Sequence, residues 1–176
     1  MLERYYPVHT QEELQTFTQT YVPFVLNQLE VFRIDYLKNR LYGDHLGLQV
    51  LSAEEFEAVN KSLLGIAKLV NRGVIHSRRN NIYKFNQFPK FKDIEIQSIE
   101  IFEPKPGVDL TKLKPGIEHI AFKAENFDNF LVNLKKNKLP IDKEDTSNSD
   151  KFFKSKLINM VDIEFRNDFL WKKFDK

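Results

Sequence analysis

Residues 118–124 read EHIAFKA and residues 44–50 read DHLGLQV. Both follow one order of residue types: an acid, His, an aliphatic, a small residue, a large apolar one, a polar one and a small apolar one. Each alternates with the period of a half-buried strand. In the first stretch Leu46, Leu48 and Val50 share one face, and His45, Gly47 and Gln49 the other. In the second, Ile120, Phe122 and Ala124 share one face, and Ile117, His119, Ala121 and Lys123 the other. One such histidine reads as a hydrogen-bonded core residue. Its recurrence at a matching place reads as a duplicated unit.

The segments that follow each stretch repeat as well. After the first, Ser52 and Glu55 form a capping box for a helix whose apolar stripe is Phe56, Val59, Leu63, Ile66 and Val70. Short strands follow at 73–77 and 81–85, around Arg78 and Arg79, and a longer strand at 94–102 ends at the breaker PKPG. After the second, Asn126 caps a helix carrying Phe127, Phe130, Leu131 and Leu134. Then come a short strand at 139–142, a polar loop at 142–150, and strands at 152–158 and 161–165. Both units read strand, helix, strand, strand, strand. Ahead of them, Thr10 and Glu13 cap a helix through Leu14, Phe17 and Tyr21. Pro23 is expected to end that helix and to open a second one running through Val31 toward Leu37. The expected fold is α+β. Two βαβββ modules, 43–107 and 116–166, form a cupped mixed β-sheet in a single domain over 1–176, with a helical extension over 1–42.

Composition permits this. The chain has 176 residues, of which 41% are hydrophobic and 16 are Phe, enough for a full core without staples. It has no cysteine, which excludes disulfides, thiolate catalysis and Cys-based metal sites and leaves His, Asp and Glu as metal ligands. Lys plus Arg is 27 against 25 for Asp plus Glu, and the basic residues are too scattered for a nucleic-acid stripe. The first ten residues, MLERYYPVHT, lack the apolar stretch of a signal peptide, and no run is long enough to span a membrane. The expectations are a cytoplasmic protein, monomer or homodimer, with no nucleic-acid or membrane partner. His9 reads as part of a mobile tail and His76 as a locally paired residue.

On the last strand of each module, Glu100 and Glu164 fall on the face opposite the apolar residues Ile99, Ile101, Val161, Ile163 and Phe165. If the modules pair side by side, two imidazoles and two carboxylates converge in one cup. Mixed nitrogen and oxygen donors suit a divalent transition metal such as Zn, Ni, Mn, Co or Fe better than Mg or Ca.

IEIFEPKPG followed by GIEHIAF resembles the junction between modules in the vicinal oxygen chelate superfamily, which includes glyoxalase I, methylmalonyl-CoA epimerase, extradiol dioxygenases and resistance proteins. The helical lead-in, GDH at 43–45, SRRNNIYKF at 77–85 and PKPG leading to GIEH are similar to the YecM-like family within that fold. The resemblance implies metal ligation by His45, Glu100, His119 and Glu164. It also implies a metal-dependent enzyme, of lyase or isomerase type, acting on a small oxygenated substrate. A Lewis acid would stabilise an enediolate or oxyanion there, with Glu164 or Glu100 as base. Mutual repulsion of the two carboxylates is expected to raise one pKa. Arg78, Gln49 and Lys123 are the candidate substrate contacts. The alternative is a module of the resistance-protein type that binds a small molecule without turnover.

Overall fold

A computed structural model describes residues 10–75, 77–113, 115–146, 149–156 and 162–174. The expectations for His9, His76, 157–158 and Val161 lie outside them. The chain opens with one helix, α1 (Gln11–Val31), started by the reciprocal Thr10–Glu13 capping box. Pro23 sits inside α1 and does not divide it, contrary to the two-helix expectation. A proline in a helix interior costs roughly 3 kcal/mol. Burial of Leu14, Phe17, Tyr21, Val22, Val25, Leu26 and Leu29 on one stripe outweighs that cost. Gln15 fastens α1 to a small ribbon, donating to the Lys90 carbonyl at 2.8 Å and accepting from its N–H at 3.0 Å.

The first module runs β1 (Leu41–Gln49), α2 (Ala53–Leu63), β2 (Ala67–Ile75), β3 (Arg78–Phe85), the ribbon β4 (Lys90–Phe91) and β5 (Ile94–Glu95), then β6 (Ser98–Phe102). The second runs β7 (Gly116–Ala124), α3 (Phe127–Lys136), β8 (Lys143–Asp145), β9 (Phe152–Lys156) and β10 (Asp162–Arg166). Several boundaries differ from the sequence reading. Helix α2 stops at Leu63, so Ile66 and Val70 leave its stripe and β2 begins at Ala67. The strand expected over 94–102 breaks at Ile96 and Gln97, where the Gln97 N–H turns to the Asp44 carbonyl at 3.0 Å. The second strand of the second module lies at 143–145, inside the expected loop, because it pairs with Phe152–Lys154 of β9.

Eight strands form one mixed sheet in the order β2-β3-β6-β1-β7-β10-β9-β8, which reads as two copies related about its centre. In each copy the first strand pairs in parallel with the last: β1 with β6 and β7 with β10. The strands β1 and β7 meet antiparallel in the middle. The register repeats too, with Gly47 beside Glu100 and Ala121 beside Glu164, each two residues beyond the module's histidine. Leu46, Leu48, Ile99, Ile101, Ile120, Phe122, Ile163 and Phe165 join α1, α2 and α3 in one apolar cluster. The other face of the central strands is thereby left to polar groups.

Candidate metal centre

Regular alternation would put an acid and the histidine after it on opposite faces of a strand. Irregular pairing between β1 and β7 removes that constraint. Asp44 and His45 together oppose Ala121, between the pairs Gly43–Phe122 and Leu46–Ile120. Glu118 is an extra residue between the pairs Gly47–His119 and Leu48–Ile117. Such bulges re-aim side chains next to functional sites. They also correct the face expected for Ile117, which is fully buried in the apolar cluster rather than beside His119.

The two imidazoles meet edge to face at the sheet centre, with Nε2 of His45 3.0 Å from Nε2 of His119. Each Nδ1 looks back at the preceding acid, His45 to Asp44 Oδ2 at 3.0 Å and His119 to Glu118 Oε2 at 3.4 Å. An ionised carboxylate accepts, so each Nδ1 carries a hydrogen, and a neutral ring then turns its Nε2 lone pair toward the other ring. Two lone pairs 3.0 Å apart repel unless a cation lies between them. Glu100 is the third member, its Oε2 3.7 Å from Nε2 of His119 and 4.0 Å from Nε2 of His45. Asn80 donates to its other oxygen at 2.6 Å.

Ligands at ~2.1 Å from one ion stand ~3.0 Å apart at right angles and ~4.2 Å apart when opposite. The three separations fall within those limits, and the three donor atoms form a group able to hold an ion. The donor set of two imidazoles and a carboxylate suits a divalent transition metal. The acids behind the rings supply the outer contacts that fix tautomer and orientation at such sites. Neither Asp44 nor Glu118 was assigned a role from sequence, although the acid–His echo was the available signal.

Glu164 lines the same cavity, of about 230 Å³, but is engaged elsewhere. Its Oε1 accepts from Arg166 at 2.5 Å and its Oε2 lies 3.1 Å from Lys154 Nζ. Burial alone would push Glu164 up, but the charges of Lys154 and Arg166 outweigh it and hold the carboxyl well below the usual range. The expected upward shift from carboxylate repulsion is therefore not found at Glu164. A separate acid, Asp162, is pushed up, by burial first and by Glu118 second.

Of the expected substrate contacts, Arg78 lines the cavity with its guanidinium 4.1 Å from the centre of the Phe102 ring. Gln49 is buried and spent on the protein: Nε2 donates to the Val50 carbonyl at 2.6 Å, and Oε1 accepts from Arg78 at 3.3 Å. Lys123 is not brought to the cavity; its ammonium lies 5.2 Å from the rings of Tyr42 and Phe169. Arg79 is held by Glu103 and Glu57.

Asp44 is fully buried and has a second task. Its Oδ1 accepts from the Leu170 N–H at 3.0 Å, fastening the short 3-10 turn Leu170–Lys173 beside the site. Asp44→Asn keeps the shape and removes the charge, and should weaken metal binding about 10- to 100-fold. Chelator competition measures that loss. Emission of Trp171, the single tryptophan, should shift as the turn loosens. Unchanged affinity would show that Asp44 serves the turn alone.

No family model matches the chain, and no curated protein matches it. Solved structures do. A structural-genomics protein named EC4020 superposes with a TM-score of 0.72 at 12% identity, over 98% of this chain and 96% of that one. A protein described as belonging to the glyoxalase superfamily, from Ralstonia eutropha, gives 0.61 at 10% identity over 91% and 84%. Methylmalonyl-CoA epimerase from Streptomyces coelicolor gives 0.53 at 16% identity over 71% and 95%. At these identities the likeness is one of architecture: the chain shares the fold of these proteins.

Proposed function

We propose that this chain is a divalent-metal-dependent enzyme of the vicinal oxygen chelate superfamily, within which it resembles the YecM-like group. It acts on a small substrate with neighbouring oxygens by moving a proton next to a carbonyl. The observation that carries this reading is the convergence of two buried Nε2 atoms and the Glu100 carboxylate, each ring backed by an acid.

His45, His119 and Glu100 would hold the ion, which when bound would polarise a carbonyl oxygen as a Lewis acid. Both histidines are buried, whereas Glu100 is partly open to the cavity. Glu100 is therefore the carboxylate that, once displaced from the ion by substrate, frees its Oε2 to take a proton, while Asn80 orients it through Oε1. Glu164 is a poorer base, since a cation occupies each of its oxygens. It acts instead by holding the Lys154 ammonium at the cavity wall, where a positive charge stabilises a developing oxyanion. This departs from the four-ligand expectation by giving Glu164 an electrostatic task.

Elemental analysis of the purified chain, followed by solvent-deuterium exchange into 2-hydroxy ketones and 2-oxo acids watched by NMR, tests the reading. One ion per chain is expected. Exchange should occur that stops with chelator and falls at least about 100-fold in Glu100→Gln, within the span of general-base contributions. Absence of any bound divalent ion would end the metal reading. A bound ion with ligand binding but no exchange would favour the alternative, a sequestering protein without turnover.

A further inference from the structure

The cations around the cavity are unequal. Lys154 faces Glu164, Arg166 lies between Glu164 and Asp150, and Lys173 pairs with Asp150. Lys143 is exposed, over the Phe152 ring. Arg78 is half-buried, yet among the described residues no carboxylate lies within ion-pair distance of it. Its Nη1 finds two neutral acceptors, Gln49 Oε1 at 3.3 Å and the Glu103 carbonyl at 3.2 Å, while its Nε is buried with no acceptor. Burial pushes its pKa down, against Glu118 and Glu100, which raise it. A half-buried guanidinium carries a desolvation cost that a paired anion would offset.

We infer that the site proposed above takes a small acid with a second, remote carboxylate, which Arg78 binds while the neighbouring oxygens at the other end face His45, His119 and Glu100. The inference rests on the metal reading for the chelated end only. The Phe102 ring supports one face of the guanidinium and leaves its edges as donors. The same ring lies 6.1 Å from the His119 imidazole and within 9° of parallel, so one aromatic side chain sets the spacing between the two ends. A carboxylate fits better than a phosphate. A single planar fork matches two coplanar oxygens, and Glu100 and Glu118 nearby repel a doubly charged phosphate group more than a singly charged carboxylate. A cavity of about 230 Å³ is smaller than those that enclose drug-sized ligands, which points to an acid of a few carbons.

Calorimetry on the metal-loaded full chain compares 2-oxoglutarate with 2-oxobutyrate, which presents the same chelating end without the remote carboxylate. The dicarboxylate should bind about 10- to 100-fold tighter, the span of one charge-assisted hydrogen-bonded pair. Arg78→Gln should erase that preference while leaving 2-oxobutyrate affinity and metal content unchanged. Arg78→Lys, which keeps charge without the fork, should restore only part of it. Equal binding of the two acids by the wild type, or a preference that persists in Arg78→Gln, overturns the inference. Tighter binding of phosphoglycolate than of either acid overturns the choice of carboxylate. Glutarate on the metal-free chain separates this from the metal reading. Arg78-dependent glutarate binding upholds the anion site even if the chain takes up no ion.

Discussion

Replacing His45 or His119 with alanine is expected to abolish stoichiometric uptake of divalent metal by the proposed centre. With two buried imidazoles and one carboxylate as the protein ligands, either substitution leaves a pair of donors that no longer encloses an ion. It also leaves Asp44 or Glu118 without the ring it orients. The affinity loss should exceed the 10- to 100-fold typical of an outer contact. An ion present at 100 times its dissociation constant stabilises the folded chain by about 2.7 kcal/mol. For a domain of this size that is a melting shift of about 5–10 °C. The wild type should show that difference between metal and chelator, and neither alanine variant should show it. Comparing each variant with itself, with and without chelator, cancels the separate cost of the hole left in the sheet. Both variants retaining one ion and the chelator-dependent shift would reject the centre.

Gly47→Ala should copy that phenotype from a residue that is not a ligand. Gly47 pairs across the sheet with His119, and a Cβ there would lie within 2.5 Å of Cε1, Nδ1 and Nε2 of the His119 ring. Ordinary carbon contacts begin near ~3.5 Å, so the ring must move by about an ångström, beyond the roughly 0.5 Å to which a working site is held. Overpacking of this kind also costs about 1–3 kcal/mol of stability. The expected result is a folded chain with a lower melting temperature, near-complete loss of bound metal and no chelator shift. Full metal occupancy in this variant would show that His119 has another position from which to bind. At the equivalent place in the second module stands Ala121, so the duplication tolerates a methyl on one side of the centre and not on the other.

Much of this was legible in the sequence because it depends on local periodicity. Alternation assigns His45, Gly47 and Gln49 to one face and the apolar residues to the other. Two copies of the same run predict paired strands at equivalent places. The parity of Glu100 and Glu164 also carried through, since both line the cavity. Alternation failed at Ile117 because pairing with β1 inserts Glu118 as an extra residue, and a one-residue slip exchanges faces. It failed at 142–150 because KED has little strand propensity of its own and is a strand only by pairing with Phe152–Lys154.

The sequence by itself determined the duplicated α+β plan, the lack of any thiol chemistry and the pair of histidines on a common face. Only the tertiary structure decided which carboxylates do what. Asp44 and Glu118 reach the rings because pairing irregularities bring an acid and its neighbouring histidine to one side. Glu164 is spent on Lys154 and Arg166, whereas among the described residues Glu100 has the neutral donor Asn80 alone on its outer oxygen. Side-chain type and strand parity are local properties, but the charges surrounding a carboxylate come from other strands, and their identity is fixed by register alone.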